Sequence, residues 1–304
     1  VSHAAIVATN RFEEEAATMP NSSAPSTAVL ITGCSSGIGR ATAVHLARRG
    51  HPVYATARRP STITDLEAEG CRLLSCDVTD EDSMVAAVKA VEARHGAVGV
   101  LINNAGYSQS GAVESVSMDD VRRQFETNVF GLVRMCQLVL PGMRAQSAGR
   151  IVNLSSMGAN FTFPGGGVYH ASKYAVEAIS DALRFEVKGF GIDVIIVQPG
   201  LIRSGFAEAA TDALEQVEGD GPYAGFNAAL AQSTRDVYEK GAAARLAGEP
   251  EAVAKAIEKA ITAESPRIRY RVTPSARVLI GQRALLSDRM WDRFLATRFP
   301  RPGA

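Results

Sequence analysis

The sequence predicts an α/β protein built on a doubly wound parallel sheet of about seven strands, with helices on both faces. Short β-rich runs alternate with longer helical patterns from Thr27 onward, the order that yields a parallel sheet with crossover helices. Some runs are apolar throughout, as in Val194-Ile195-Ile196-Val197, which marks strands covered on both faces. A glycine-rich turn separates the first such run from the first helical pattern, and doubly wound sheets bind ligands there.

Each element has a local reason. Val29-Leu30-Ile31 is the first strand, ending at Thr32-Gly33. A helix over 40–49 places Ala41, Val44, Leu46 and Ala47 on one face and stops at Gly50. Strands follow over 52–57 and 72–75. Thr79 is the expected N-cap of a helix over 80–94, with Asp80, Glu81 and Asp82 in its first turn. A strand over 98–102 precedes a long helix over 118–145, with a kink expected at Pro141. A strand over 150–154, a helix over 169–188 and a strand over 192–197 continue the alternation. Residues 203–248 are rich in Ala, Gly and Glu and read as a lid. Pro250 opens a helix over 249–263, then come a strand over 268–272 and one closing helix over 276–297. No repeat or linker interrupts 27–275. One domain over 27–304 is therefore expected after a disordered tail over 1–26, in which Met19 is a candidate native start.

Composition narrows the function. The 304 residues include 32 Lys plus Arg and 32 Asp plus Glu. That balance disfavours a nucleic-acid binder or a polybasic membrane-surface protein. No apolar run approaches the ~18 residues of a spanning helix. Cys34, Cys71, Cys76 and Cys136 form no CxxC pair and no zinc spacing. Four buried thiols in a reducing, cytoplasmic compartment are expected.

Gly33-Cys34-Ser35-Ser36-Gly37-Ile38-Gly39 stands between the first strand and first helix. Its glycines permit positive φ and close backbone approach, and the helix start offers free N–H groups to an anion. In that context GxxxGxG reads as the dinucleotide turn of a Rossmann-type fold. The second strand ends in Thr56-Ala57-Arg58-Arg59. It has no carboxylate for the ribose 2′-hydroxyl of NAD, and its guanidiniums suit the 2′-phosphate of NADP. Tyr169 and Lys173 are four residues apart, hence on one helix face. A free phenol titrates near ~10; an adjacent ammonium and the positive charge of an oxidised nicotinamide would lower that and fit the phenol to exchange a proton with a carbonyl or alcohol oxygen. The spacing alone is commonplace. Its company singles it out: Asn103-Asn104-Ala105-Gly106, Asn128, Ser155-Ser156 and Pro199-Gly200 should gather at one crevice beyond the strand ends.

Together these residues resemble the short-chain dehydrogenase/reductase family. The matches are Thr32-Gly33-x-x-x-Gly37-Ile38-Gly39, Asp77, Asn103-Asn104-Ala105-Gly106, Asn128, Ser156, Tyr169-x-x-x-Lys173 and Pro199-Gly200, over about residues 27–205. The glycine phrase and Asn104-Ala105-Gly106-Tyr107 are similar to a hydroxysteroid-dehydrogenase-like subgroup. The resemblance implies Tyr169 as acid/base and Lys173 as ligand of the nicotinamide ribose. It implies Ser156 on the reacting oxygen, chosen over Ser155 because it lies thirteen residues before Tyr169, and Asn128 as holder of a relay water. The cofactor would run along Gly33, Ser35, Ser36, Gly37, Ile38 and Gly39, reach Arg58 and border on Asp77 and Val78. It would pass Asn104, Ala105 and Gly106 and end near Pro199, Gly200, Ile202 and Ser204. Ser36 stands where many NADP-using members carry a base, so cofactor choice rests on Arg58, with Arg59 beside it.

A lipophilic ketone or secondary alcohol is the expected substrate, because Met157, Phe161 and Phe163 follow the serine and Phe206, Tyr223, Phe226 and Tyr238 dot the lid. Arg203 is the nearest candidate for an anionic group. Competing readings are an NAD-dependent alcohol dehydrogenase of the same family, a non-catalytic nucleotide sensor, and an epimerase or dehydratase working through transient oxidation. The intact Ser156, Tyr169 and Lys173 set disfavours the sensor, and the short chain after Pro199 disfavours the last. A homodimer or homotetramer through 118–145 and 169–188 is implied by the resemblance. Ala171, Ala175, Ala178, Ala182 and Phe185 suit either that contact or the sheet.

Overall fold

The computed structural model describes residues 24–205, 221–240, 244–299, 301 and 302. Seven strands form one sheet in the order β3-β2-β1-β4-β5-β6-β7. They are β1 (Val29–Ile31), β2 (Val53–Ala57), β3 (Arg72–Ser75), β4 (Val100–Asn103), β5 (Gly149–Leu154), β6 (Ile192–Pro199) and β7 (Arg269–Val272). Every neighbouring pair is parallel, as the alternating sequence requires.

The period-two geometry of a strand divides the core into two layers. Val29 and Ile31 pack with α1 (Gly37–Arg48) and with α7 (Pro250–Thr262), through Ala43, Leu46, Val253 and Ile257. Leu30, Leu101 and Ile151 point the other way, into α2 (Glu81–His95), α4 (Gly131–Ala145) and α5 (Gly167–Val187). Each fully buried Leu or Ile contributes about 1.5–3 kcal/mol of burial. Because β1 lies between β2 and β4, the chain winds away from it in both directions. The crevice above the carboxyl ends of β1 and β4 is the topological switch point.

Several local expectations change. α1 starts at Gly37, inside the glycine turn, three residues before the expected helix. Asp80 rather than Thr79 caps α2, accepting from the N–H groups of Asp82 and Ser83. Thr79 turns back instead, and its N–H and hydroxyl donate to Asp77 Oδ1 at 3.0 and 2.8 Å. The long helix is α3 (Met118–Phe125) and α4, joined by a π turn over Glu126–Phe130. α4 runs through Pro141, which lies on the exposed side with Gln137, so the carbonyl deprived of a donor faces water. The closing helix is two helices, α8 (Pro274–Leu285) and α9 (Asp288–Ala296). The break lets Trp291 bury itself against Phe161 and Phe163. Ser26, placed in the tail by the sequence, donates its N–H to Gln146 Oε1 at 2.8 Å; residues 1–23 lie outside the described residues. Of the lid, α6 (Ala224–Glu239) is described, while 206–220 and 241–243 lie outside the described residues.

The capping assignment is testable. Asp80→Ala should cost about 1 kcal/mol in urea unfolding, and Thr79→Ala should cost less because the cap survives it.

Candidate active site

The glycine turn is built for contact with something other than side chains. Gly33 and Gly37 adopt φ of +73° and +55°, conformations that favour glycine. A Cβ on Gly33 would lie 2.8 Å from Ala105 Cα, and one on Gly39 2.3 Å from the Gly33 carbonyl oxygen. Thr32 Oγ1 accepts from the N–H groups of Asn104 and Ala105, both at 3.0 Å. Asn104 Nδ2 donates to the carbonyls of Thr32 and Gly33, both at 2.9 Å. These bonds join the end of β1 to the end of β4. α1 then begins with no side-chain cap and no acid in its first turn, whereas Asp80 and Ser117 cap α2 and α3. Uncapped N–H groups and the positive helix end suit an anion, so the turn fits a dinucleotide pyrophosphate.

A cavity of about 1430 Å³ runs from this turn across the strand ends. Of the expected cofactor contacts, Gly33, Ser35, Ser36, Gly37 and Ile38 line it, followed by Arg58, Asp77, Val78, Asn104, Ala105 and Gly106. Pro199, Gly200, Ile202 and Ser204 close its middle, and Ser204 Cβ lies 3.5 Å from where a Cβ on Gly37 would be. Gly39 does not line the cavity; it is buried beneath the turn, where its missing side chain admits Gly33 and Asn104. Arg58 is exposed and lines the wall, and Arg59 does not line it.

Ser156, Tyr169 and Lys173 meet in the middle of the cavity. Ser156 Oγ accepts from the N–H of Gly158 at 3.0 Å and hydrogen-bonds Tyr169. Lys173 Nζ donates to the Leu154 carbonyl at 2.8 Å and lies 5.9 Å from the Tyr169 ring centre. Burial sets the direction at both side chains. Burial pushes Tyr169 up to about 12, with the Ser156 hydrogen bond opposing. Burial also draws Lys173 down to about 8, with Glu177 opposing. Desolvation is the larger influence on both groups.

Asn128 sits in the π turn, 1% exposed and off the cavity wall. Its Nδ2 donates to the Tyr107 carbonyl at 3.1 Å and to Ser172 Oγ at 3.0 Å, and its Oδ1 accepts from the Tyr107 N–H at 3.1 Å. Both amide hydrogens are thus committed to structure. Ser155, passed over for Ser156, also lines the cavity, and its buried hydroxyl has no partner among the described residues.

His170 escaped the sequence reading. Its Nδ1 lies 2.6 Å from the Gly158 carbonyl oxygen, and the Phe163 N–H donates to its Nε2 at 3.4 Å. The neutral ring with its proton on Nδ1 satisfies both; burial favours that form, against the Gly158 carbonyl. His170 thereby ties the segment bearing Phe161 and Phe163 to the helix bearing Tyr169.

The far end of the cavity is apolar. Phe161 and Phe163 lie 5.5 and 6.2 Å from Trp291 between ring centres, and Phe163 lies 5.9 Å from Phe299. Met157, Phe161, Phe163 and Tyr238 line the wall as expected. Tyr223 instead donates to Glu114 at 2.6 Å, and Phe226 packs with Ala112 and Leu230. Phe206 lies outside the described residues. Phe294 and Phe299 line the wall and were not foreseen. Arg203 is engaged by Glu249 at 2.7 Å and by the Ala244 carbonyl, away from this wall. Among the described residues no group of His, Cys, Asp or Glu could hold a metal, and no helix is long and apolar enough to cross a membrane.

The chain is similar to known proteins. Residues 27–215 match the short chain dehydrogenase family. The 3-ketodihydrosphingosine reductase of Bacteroides thetaiotaomicron is 38% identical over 263 residues, covering 86% of this chain and 94% of that protein. The NADPH-dependent 3-dehydrocapnine reductase of Ornithobacterium rhinotracheale is 32% identical over 275 residues, covering 87% of this chain and 94% of that protein. The crystal structure of a short-chain dehydrogenase from Streptomyces avermitilis superposes with a TM-score of 0.73 at 32% identity, covering 92% of this chain and 96% of that one. With its parallel sheet, uncapped glycine turn and Ser-Tyr-Lys cluster, the chain belongs to the short-chain dehydrogenase/reductase family of oxidoreductases.

Proposed function

We propose that the protein is an NADP-dependent oxidoreductase that interconverts a lipophilic ketone and its secondary alcohol, with Tyr169 as acid/base. One observation carries the reading. A single cavity joins the uncapped start of α1 and Arg58 at one end to the Ser156–Tyr169 pair, and then to an aromatic wall. Gly33 to Ile38 would hold the pyrophosphate, Arg58 the 2′-phosphate, and Lys173 the nicotinamide ribose. When bound, the nicotinamide supplies or accepts hydride.

The chain supplies the rest. The hydroxyls of Ser156 and Tyr169 orient the reacting oxygen. Tyr169 gives its proton to that oxygen in reduction and takes one in oxidation. A half-buried phenol whose titration is pushed up holds its proton, which suits the acid role; charge on Lys173 supports the phenolate in the reverse direction. Phe161, Phe163 and Phe294 exclude water and hold the apolar part of the substrate. Two relatives that are reductases by name, one of them NADPH-dependent, support the cofactor and the direction.

Two features of the surroundings complete the proposal. Ala171, Ala178, Ala182 and Phe185 are exposed, with Phe185 at 88%, which supports an oligomer formed through the outer face of α5 rather than a sheet-facing role. Four buried free cysteines suit the reducing cytoplasm inferred from the sequence.

NADPH consumption should occur on members of a panel of lipophilic ketones and fall by about 10²–10⁴-fold in Tyr169→Phe. Tight NADPH binding with no turnover on any ketone would count against a reductase of this class. In Arg58→Asp the affinity ratio of NADPH over NADH should drop roughly tenfold or more, as loss of a charged hydrogen bond implies. An unchanged ratio would remove Arg58 from the role. Light scattering should report a dimer or tetramer, and a monomer would contradict the α5 contact.

A further inference from the structure

α5 carries Tyr169, Lys173, Glu177 and Asp181 at intervals of four, one turn apart along one face. The proposed chemistry uses only the first two. Glu177 is 9% exposed. Its Oε1 accepts from Gln198 Nε2 at 3.0 Å, and its Oε2 accepts from Arg269 Nε at 2.9 Å. The other end of Arg269 donates to Asp181 Oδ2 at 2.6 Å, and Asp181 also pairs with Arg184. Charge therefore alternates from the cavity toward the surface: Lys173, Glu177, Arg269, Asp181, Arg184. Gln198 directly precedes Pro199 and Gly200 on the cavity wall.

Lys173 forms no ion pair among the described residues; its ammonium donates to a backbone carbonyl in a buried site. A cation so placed is costly unless an opposite charge lies close by. The carboxylate one turn along the helix is Glu177.

We propose that Glu177 is a positioning residue for proton transfer, whose carboxylate keeps the Lys173 amine charged, and that Arg269 limits how much of that negative charge reaches the lysine. The two residues then act on Lys173 in opposite senses. Burial and Glu177 already pull the amine in opposite directions, with burial the stronger. Removing the carboxylate makes the charged amine less stable. Removing the guanidinium leaves Glu177 without its ion pair and makes the charged amine more stable. Among the described residues, the other titratable or charged side chains on the same cavity wall as Lys173 are Tyr169 and His170 on its own helix, Tyr107, Arg123, Asp236, Tyr238 and Lys240, and Arg58, Cys76, Asp77 and Arg298. Glu177 bears on turnover only if Tyr169 and Lys173 are the proton-transfer pair, so this role rests on the function proposed above.

The test does not use turnover. The chain has six lysines, few enough for each ε-carbon to be followed against pH by NMR in ¹³C-lysine-labelled full-length protein without cofactor. The Lys173 signal is the one lost in Lys173→Met. Its midpoint should fall by roughly one unit in Glu177→Gln and rise in Arg269→Gln, and Arg269→Lys should restore the wild-type value. Circular dichroism melts verify that each variant is folded. A folded Glu177→Gln with an unmoved midpoint, or two substitutions that move it in the same direction, would overturn the proposal. If Glu177→Gln does not fold, Arg269→Gln decides alone, because an unchanged or lower midpoint contradicts the assigned sense. Failure of the ketone panel with midpoints moving as expected would refute the proposed reaction and leave this charge coupling standing.

Discussion

The joint between the ends of β1 and β4 is the constraint on which the site depends. Four hydrogen bonds cross it, joining Thr32 and Gly33 to Asn104 and Ala105, and the absent side chain of Gly39 lets the backbone of Gly33 close over it. The joint turns the start of α1 toward the cavity. It also sets the direction of the segment leaving β4. That segment meets Asn128, which holds Tyr107 by both backbone groups and Ser172 by its hydroxyl. A continuous line of hydrogen bonds thus runs from the glycine turn to the helix that bears Tyr169 and Lys173. The π turn places Asn128 on that line, and π turns recur where a helix must present a group out of register.

Much of this was legible beforehand because its signals are local. Strand burial is written in period two, the glycine turn in its own spacing, and the polar groups around Tyr169 and Lys173 in residues that stand just past strand ends. Features decided by distant contacts were not legible. Thr79 and Asp80 are equally plausible caps by composition, and the packing that turns Thr79 toward Asp77 decides between them. The π turn follows from what Asn128 touches, not from helix propensity. The aromatic wall joins Phe161 to Trp291, a contact that no pattern within either segment announces. Ser26 read as tail because its partner, Gln146, lies far along the chain.

The titration of Tyr169 and Lys173 depends on more than their spacing. Spacing on a helix reports proximity, and proximity argues for a lowered phenol. Burial is a property of the assembled fold, and here it opposes charge on both groups. The site balances an apolar enclosure, which suits a lipophilic substrate, against the cost of keeping an ammonium inside it. The charges arranged along α5 and β7 make that balance tenable.

The tie at His170 has an evolutionary consequence. Its ring fills space that a Cβ on Gly158 or Gly166 would enter, at 2.5 and 2.7 Å. The histidine and both glycines are therefore locked together, and exchange of any one alone would dislodge a wall of the pocket and press on the neighbour of Tyr169. α8 and α9 pack on Met157, Phe161 and Phe163 through Leu279, Trp291 and Phe294. Divergence toward new substrates should accumulate in those last two helices, while the segment between Ser156 and Tyr169 changes slowly and in concert.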